Sequence, residues 1–361
     1  MLSTESAPAT DSVRRGAPGN DVLHVRDLRV WYHTPRGAVK AVDGVSFVLK
    51  EHERFGLVGE SGSGKSTVAL ALMRLIRPPG KIEGGQVILD GVEVLQLPEE
   101  QVRQLRLAAI ALVAQGAMNS LNPVLRVREQ ILDAIRDHDG KLGKREADAR
   151  VAELLQMVGL EPKVADRFPH ELSGGMKQRV CTAIAISLKP RVILADEPTS
   201  ALDVVVQRQV MQTLRHVQEE LGASVLLVGH DMGLMAQFVN RLGVMYAGRL
   251  VEVSPVGDVF ADPLHPYTQL LIASLPSLDE KGVFRGIPGL APSVLDKPPG
   301  CAFHPRCPHA MPVCSVEDPD LVEARPERWV ACHLYPPPGQ DHAESQAASV
   351  GSQLRNGGHV G

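Results

Sequence analysis

Long apolar runs are absent from this chain of 361 residues. A membrane-spanning helix needs roughly 20 consecutive apolar residues, whereas the longest runs here, such as VILA at 192–195 and VLLVG at 225–229, have the length of strands. The first 21 residues also lack the apolar segment that defines a secretory signal peptide. These absences predict a cytosolic protein with a disordered leader over residues 1–21.

Aromatic residues and excess charge of one sign are also scarce. Aromatic residues make up 4% of the sequence and the formal net charge is −4. Nucleic-acid-binding proteins usually carry a basic face or aromatic platforms on which bases stack. We therefore expect no nucleic-acid partner. Five cysteines are present, and the cytosolic assignment argues against disulfides because that compartment keeps thiols reduced.

The order of apolar segments predicts the fold class. Residues 22–32 and 39–50 alternate apolar and polar side chains, which indicates two antiparallel strands, and residues 84–94 indicate a hairpin. Short apolar strands at 54–59, 191–198 and 224–230 alternate with helical patterns, which predicts a parallel α/β core. We expect an inserted helical subdomain at about 118–188, a main domain over 22–275, a small extension over 276–335 and a disordered tail over 336–361.

The stretch GESGSGKST at 59–67, called the phosphate loop below, matches the G-x-x-x-x-G-K-[ST] motif between a strand and a helix. Glycines let backbone N–H groups turn towards an anion, and the following helix adds its positive N-terminal end. In this motif the lysine, Lys65, contacts the β- and γ-phosphates and the next hydroxyl, Ser66, binds Mg²⁺. An ordinary glycine-rich turn is the alternative. The predicted nucleotide-binding residues are Gly59, Ser61, Gly62, Ser63, Gly64, Lys65, Ser66 and Thr67.

Two acidic residues follow the apolar strand that begins at residue 191. Asp196 can hold Mg²⁺ through its water shell, and Glu197 can polarise the attacking water. A strand end capped by acidic residues would be the structural alternative. The presence of a phosphate loop in the same chain favours the catalytic interpretation.

The chain contains a third motif, LSGGMKQR at 172–179, in addition to the phosphate loop and the stretch ADEPTSALD at 195–203. Together they closely resemble the ATP-binding subunits of ABC transporters over about residues 22–275. The resemblance implies a P-loop NTPase fold of the ABC type, with an antiparallel β subdomain and an inserted helical subdomain. It also implies an ATPase that converts ATP and water to ADP and phosphate and couples this reaction to solute import.

The resemblance implies that two such domains pair head to tail and share each ATP. Ser173, Gly174 and Gly175 would then face the γ-phosphate bound to the partner, and Asp203 would belong to the loop that couples the two sites. A serine hydroxyl and a helix N-terminus both favour an anion. Local helix capping is the alternative for the SGG stretch, and it is compatible with phosphate contact.

Three further site residues are implied by the same resemblance. Gln115 would contact Mg²⁺ and the attacking water and relay the nucleotide state to the membrane subunits. His230 would contact the γ-phosphate. Tyr32 would stack on adenine, with the adjacent Trp31 as the alternative. Only one of the two can do so, because successive side chains of a strand point to opposite faces.

The stretches SLNPV at 120–124, HPYTQLLIASLP at 265–276 and GCAFHPRCPHA at 300–310 look like the importer branch for dipeptides and oligopeptides. Some relatives of this branch import oligosaccharides. The stretch QGAMNSLNP at 115–123 departs from the sequence that many members of the peptide branch carry there, which leaves both substrates open. The implied partners are a second, non-identical ATPase subunit, two transmembrane permease subunits and an extracytoplasmic solute-binding protein, with this chain peripheral on the cytoplasmic face of the membrane. A non-transport ABC ATPase is disfavoured by the single signature motif.

Four of the cysteines lie in the short, proline-rich extension, whereas Cys181 lies in an apolar helix and is expected to be a small core residue. An extension too small for a large core needs a cross-link, and four thiolates suit a metal. The short C-x₂₋₄-C spacing usual for zinc is absent. The resemblance to peptide-importer ATPases favours a [4Fe–4S] cluster first, zinc second and free thiols third. The predicted ligands are Cys301, Cys307, Cys314 and Cys332, with His304, His309 and His333 as substitutes.

Overall fold

The structure, a computed structural model, describes residues 21–139, 142–200, 202–275, 286–290, 292, 295 and 297–336. Residues 1–20 of the predicted leader and 337–361 of the predicted tail lie outside the described residues. Residues 276–285, at the start of the predicted extension, lie outside them as well.

The strands of the described chain follow the order in which the sequence patterns place them, with additional strands towards the C-terminus. They are β1 (Asp21–Thr34), β2 (Gly37–Lys50), β3 (Arg54–Val58), β4 (Gly80–Leu89), β5 (Val92–Glu93), β6 (Ile110–Val113), β7 (Val192–Asp196), β8 (Ser224–Val228), β9 (Arg241–Tyr246), β10 (Arg249–Pro255), β11 (Val322–Arg325) and β12 (Arg328–Val330).

The helices are mostly short, and α3, α4 and α5 lie between β6 and β7. They are α1 (Lys65–Leu72), α2 (Glu99–Leu105), α3 (Val127–Asp139), α4 (Lys144–Met157), α5 (Gly174–Ala185), α6 (Val204–Leu221), α7 (Met232–Phe238), α8 (Val256–Ala261) and α9 (Pro266–Ala273). Within the described ranges, none of these helices combines the length and apolarity that crossing a membrane requires.

Two sheets organise these elements. A four-stranded antiparallel sheet has the order β2–β1–β4–β5, which confirms the predicted antiparallel pair and the hairpin. An eight-stranded sheet has the order β11–β12–β10–β9–β3–β8–β7–β6. Its central strands run parallel, with β3 between β8 and β9, and β7 between β8 and β6. The predicted parallel α/β core is therefore confirmed.

The eight-stranded sheet separates two hydrophobic cores, because successive side chains of a strand point to opposite faces. On β7, Val192 and Leu194 face the core shared with α1 and the antiparallel sheet. Ile193 and Ala195 face the core shared with α3 to α6. The carboxyl ends of β3 and β7 lie at the same edge of the sheet, because both strands run parallel to β8 between them. Ligands bind at this edge in open α/β sheets.

The C-terminal part of the chain joins the same sheet. Strand β12 pairs antiparallel with β10, and β11 pairs antiparallel with β12. Phe303 is fully buried in the core that also contains Tyr246 and Tyr267. The described part of the extension therefore packs on the main sheet through both backbone pairing and buried aromatic rings.

Candidate active site

The phosphate loop connects the end of β3 to the start of α1 and lies between one strand of each sheet. Gly59 has a φ of 151°, and a Cβ atom there would lie 2.1 Å from the carbonyl oxygen of Met245 on β9. Gly64 has a φ of 102°, and a Cβ atom would lie 2.1 Å from the carbonyl oxygen of Ala41 on β2. Both the backbone conformation and the close approach therefore require glycine.

The side chain of Lys65 is buried inside the phosphate loop. Its Nζ atom donates to the carbonyl oxygens of Gly59 at 2.8 Å and Glu60 at 3.0 Å, and to Ser63 Oγ at 3.3 Å. Burial lowers the pKa of Lys65, and the nearby carboxylates, Glu197 foremost, oppose that change. The loop thus holds a cation at the N-terminus of a helix, as a phosphate site requires.

Ser66 and Asp196 meet although 130 residues separate them. Ser66 Oγ donates to Asp196 Oδ1 at 2.9 Å, and the carboxyl group of Asp196 is buried. Burial raises the pKa of Asp196, with the hydrogen bond from Ser66 acting in the opposite direction. A hydroxyl beside a carboxylate is an oxygen donor set that fits Mg²⁺, so the residues present agree with the predicted metal site.

Glu197 lies between the two other predicted catalytic side chains. Gln115 Nε2 donates to Glu197 Oε2 at 3.1 Å, and His230 Nδ1 lies 3.2 Å from Glu197 Oε1. Glu197 itself has a φ of 44°, and its N–H donates to the carbonyl oxygen of Val228 at 2.9 Å. Positive φ in a residue other than glycine is strained and concentrates at functional sites. The structure therefore brings together the three side chains that the sequence placed at separate strand ends.

These three side chains can be reached from solvent. Glu197 and His230 line a cavity of about 180 Å³, and the His230 side chain is 69% exposed. Gln115 is exposed as well. A carboxylate at the wall of an accessible cavity, oriented by an amide and an imidazole, has the arrangement of a general base.

The signature residues form a second group, at the start of α5. Ser173 is the N-cap and accepts from the N–H of Met176 at 3.3 Å. Gly175 packs against α6, where a Cβ atom would lie 2.4 Å from Val206 Cγ1. Asp203 caps α6 by accepting from the N–H of Val206 at 3.0 Å. Capping and close packing thus account for these residues within one chain, while Ser173 and the adjacent Gly174 remain exposed.

The remaining predicted nucleotide-site residues lie on the loop, on α1 and on β1. Ser61 and Gly62 are exposed at the tip of the phosphate loop, and Thr67 is half-buried on α1. Tyr32 lies on β1 against Gly80 of β4, whereas the adjacent Trp31 ring lies under Lys40 Nζ at 4.8 Å. Nothing in these contacts tests the adenine-stacking role, which stays a prediction.

The four cysteines of the extension line one small cavity, called the cysteine cavity below, whose volume is about 10 Å³. Such a volume suits about one water molecule. No group of three or more His, Cys, Asp or Glu side chains within the described ranges is arranged to hold a metal ion. The predicted cluster therefore has its ligands in one neighbourhood, but no preformed site. The cavity is lined by Cys301, Cys307, Cys314 and Cys332, with His304, His309 and His333 also in its wall.

Burial disfavours ionisation of three thiols of this cavity. Burial raises the pKa of Cys301 to about 11 and that of Cys332 to about 12, and it raises the pKa of Cys307 as well. Cys181 is separate and buried in the main core, where its Sγ donates to the carbonyl oxygen of Ala117 at 3.2 Å. The prediction of Cys181 as a core residue is confirmed.

The sequence patterns missed the contacts that Tyr267 and Arg306 make with Glu60 of the phosphate loop. The backbone N–H of Glu60 donates to Tyr267 Oη at 2.9 Å, and the carboxylate of Glu60 pairs with the guanidinium of Arg306. Arg306 lies 246 residues away from Glu60 in sequence. No spacing rule covers such a distance, and no sequence signal could have identified the pair.

Comparisons with known proteins agree with this geometry. The ABC transporter family matches residues 42–200, and the family described as the C-terminal region of oligopeptide/dipeptide transporters matches residues 251–314. The oligopeptide transport ATP-binding protein OppD of Salmonella typhimurium is 43% identical over 319 residues, which cover 87% of this chain and 94% of that protein. The dipeptide transport ATP-binding protein DppD of Caldanaerobacter subterraneus is 41% identical, with coverage of 87% and 97%.

A solved structure extends the likeness to the fold. A dimeric ATP-binding cassette in a post-hydrolysis state, bound to ADP and phosphate, has a TM-score of 0.58 and 31% identity. The alignment covers 65% of this chain and 98% of the cassette. The predicted ABC-type fold and the predicted family are both confirmed. The chain belongs to the ABC transporter ATPases, in the group of ATP-binding proteins of oligopeptide and dipeptide transporters.

Proposed function

We propose that this chain hydrolyses ATP to power the import of peptides across the cytoplasmic membrane. The observation that carries the proposal is the contact of Glu197 with both Gln115 and His230, beside Asp196 and the phosphate loop. The oligopeptide/dipeptide transporter family that matches residues 251–314 supports peptides as the substrate class. The named relatives are oligopeptide and dipeptide transport proteins.

We assign the proton transfer to Glu197, and its contacts with Gln115 and His230 support this assignment. The carboxylate accepts a proton from a water molecule, whose oxygen forms a bond to the γ-phosphorus as the bond to the leaving ADP oxygen breaks. Gln115 orients the carboxylate and the water, and His230 stabilises charge on the γ-phosphate. Lys65 and the backbone N–H groups of the phosphate loop hold the phosphates. Ser66 and Asp196 would hold Mg²⁺, which would neutralise phosphate charge.

We also propose the head-to-tail dimer as the active assembly. Ser173 and Gly174 are exposed, and beyond Asp203 the side chains of Val204 and Val205 are 75% and 69% exposed. Exposed apolar side chains beside a functional motif are typical of an interaction surface. The related cassette bound to ADP and phosphate is dimeric, which supports pairing of two such domains. A second ATPase subunit, two permeases and a solute-binding protein complete the proposed importer, with this chain peripheral on the cytoplasmic side.

Peptide uptake by intact cells tests the transport function. Cells whose chromosomal copy carries Glu197→Gln should lose the ATP-driven uptake of a labelled pentapeptide and keep the uptake of a labelled oligosaccharide. The reverse pattern would assign the chain to the oligosaccharide importers. Recovery of the tagged wild-type chain with ribosomes, and not with solubilised membranes, would contradict a transport role altogether.

We further propose that residues 276–335 form a regulatory extension and that its four cysteines bind a metal. Four thiols in one small cavity support binding, and a four-iron cluster requires them to move apart because the cavity volume is only about 10 Å³. Binding must displace protons from thiols whose pKa burial raises, so metal affinity should increase with pH.

Metal analysis of protein purified without oxygen tests this prediction. Iron and acid-labile sulfide with a brown colour indicate a cluster, whereas colourless protein with one equivalent of zinc indicates a single ion. The Cys314→Ser variant should lose the metal, and Cys181→Ser, the matched control in the main core, should keep it. Wild-type protein that holds neither metal would leave the thiols free and refute the proposal.

A further inference from the structure

Glu60 is the second residue of the phosphate loop, and each of its polar groups has a partner. Its N–H donates to Tyr267 Oη at 2.9 Å. Its carbonyl oxygen accepts from Lys65 Nζ at 3.0 Å and from the N–H of Ser63 at 3.2 Å. Its carboxylate binds Arg306. One residue therefore connects the cation of the phosphate site to the C-terminal part of the chain.

The ion pair between Glu60 and Arg306 is bidentate. Nη1 donates to Oε2 at 2.8 Å and Nη2 donates to Oε1 at 3.0 Å. The side chain of Arg306 is 5% exposed and that of Glu60 is 27% exposed. Paired hydrogen bonds between a guanidinium and a carboxylate are among the strong ones in proteins. Removing one partner of such a desolvated pair leaves an uncompensated charge, which is costly.

The guanidinium of Arg306 is itself held in place. Its Nε donates to the carbonyl oxygen of Pro288 at 2.8 Å, and Nη1 donates to Tyr246 Oη at 3.2 Å. The Tyr246 ring lies 4.7 Å from the Tyr267 ring and 5.2 Å from the Phe303 ring, and all three are buried. The position of Arg306 therefore depends on how the extension packs on the main domain.

The charge of Glu60 matters to the phosphate site. The backbone carbonyl oxygen of Glu60 accepts from Lys65 Nζ at 3.0 Å, so the residue that bears this charge directly contacts the phosphate-binding cation. Arg306 neutralises this carboxylate in the folded chain. Without Arg306, a triphosphate at the loop would meet an unpaired negative charge, and like charges at short range repel.

We propose that Arg306 is a positioning residue for ATP binding, which acts by holding and neutralising Glu60 of the phosphate loop. This inference rests on the proposed nucleotide site. It makes docking of the C-terminal extension a requirement for tight ATP binding. It also places the wall of the cysteine cavity next to the nucleotide site. Arg306 ends the short helical turn His304–Arg306, and Cys307, which lines the cavity, follows directly.

A double-mutant cycle on the full chain tests the inference, with Mg-ATP binding measured at equilibrium. Arg306→Gln should raise the Kd of Mg-ATP about tenfold, within the range typical of coupling between sites. Adding Glu60→Gln removes the unpaired charge and should restore most of the affinity. The loss in Arg306→Gln should also shrink as salt increases. A purely structural role of Arg306 would show neither the rescue nor the salt dependence.

Steady-state kinetics provide a second readout. Arg306→Gln should raise the KM for ATP with a smaller change in kcat, because Glu197 and its neighbours are untouched. Arg306→Lys keeps the charge, so it should fold and raise the Kd less than Arg306→Gln does. The matched control is Arg325→Gln, whose ion pair with Asp262 lies on the surface of the same extension. It should leave the Kd unchanged.

Failure of the inference can be told apart from failure of the proposed function. If wild-type chain binds Mg-ATP and Lys65→Ala abolishes binding, the nucleotide site stands. An unchanged Kd in both Arg306 variants, or a double variant as weak as Arg306→Gln alone, then overturns the role of Arg306. If Lys65→Ala binds Mg-ATP as the wild type does, the nucleotide site itself is wrong.

Discussion

Glu197→Gln should reduce ATP hydrolysis by about 10²- to 10⁴-fold, the contribution usual for a general base, and leave Mg-ATP binding intact. The amide keeps the shape of the side chain and its contacts with Gln115 and His230, which lie at 3.1 and 3.2 Å in the wild type. It can no longer accept a proton. Binding should persist because Lys65 and the loop backbone are unchanged. Phosphate release and equilibrium nucleotide binding measure the two effects separately.

The matched control for this prediction is Glu220→Gln, the same chemical change at an exposed position on α6. It should hydrolyse ATP at the wild-type rate. Hydrolysis by Glu197→Gln at that same rate would show that Glu197 is not the base. A combined loss of binding and hydrolysis would instead assign Glu197 to nucleotide binding.

Gly64→Ala should weaken Mg-ATP binding by about 100-fold or more. A φ of 102° is unfavourable for alanine, and the new Cβ atom would lie 2.1 Å from the carbonyl oxygen of Ala41. The left-handed conformation costs about 1–2 kcal/mol, and displacing packed backbone costs about 1–3 kcal/mol more. A total of about 3 kcal/mol corresponds to roughly a 100-fold change in an equilibrium constant. Equilibrium binding of a fluorescent ATP analogue measures it.

Gly62→Ala is the comparison that isolates the close approach. Gly62 also has positive φ, 78°, but a Cβ atom at this position would have nothing within 4 Å. Gly62→Ala should lose only about 1 kcal/mol of Mg-ATP binding free energy, the cost of the conformation alone. This loss corresponds to roughly a fivefold weakening of binding. Equal losses in the two variants would contradict the tight packing of the loop against β2. Thermal unfolding of both variants checks that the fold is kept.

Local patterns were sufficient to predict the fold class and the individual parts of the site. The phosphate loop, the acidic residues at the end of β7 and the signature motif are each contiguous in sequence, and their chemistry follows from residue type and spacing. Alternation of apolar residues located β1 and β2, and the alternation of strands with helices predicted the parallel core. These signals act over a few residues, so the sequence carries them without the tertiary structure.

Long-range contacts were decided only by the tertiary structure. The hydrogen bond from Gln115 to Glu197 joins residues 82 positions apart, and the pair of Glu60 with Arg306 joins residues 246 apart. The four cysteines of the extension line a cavity of about 10 Å³. The spacing of these cysteines in the sequence could not predict this volume. The sequence by itself determined an ATP site of the ABC type. The packing of the extension decided that Arg306 reaches this site, because sheet pairing and ring burial act between segments that no local pattern relates.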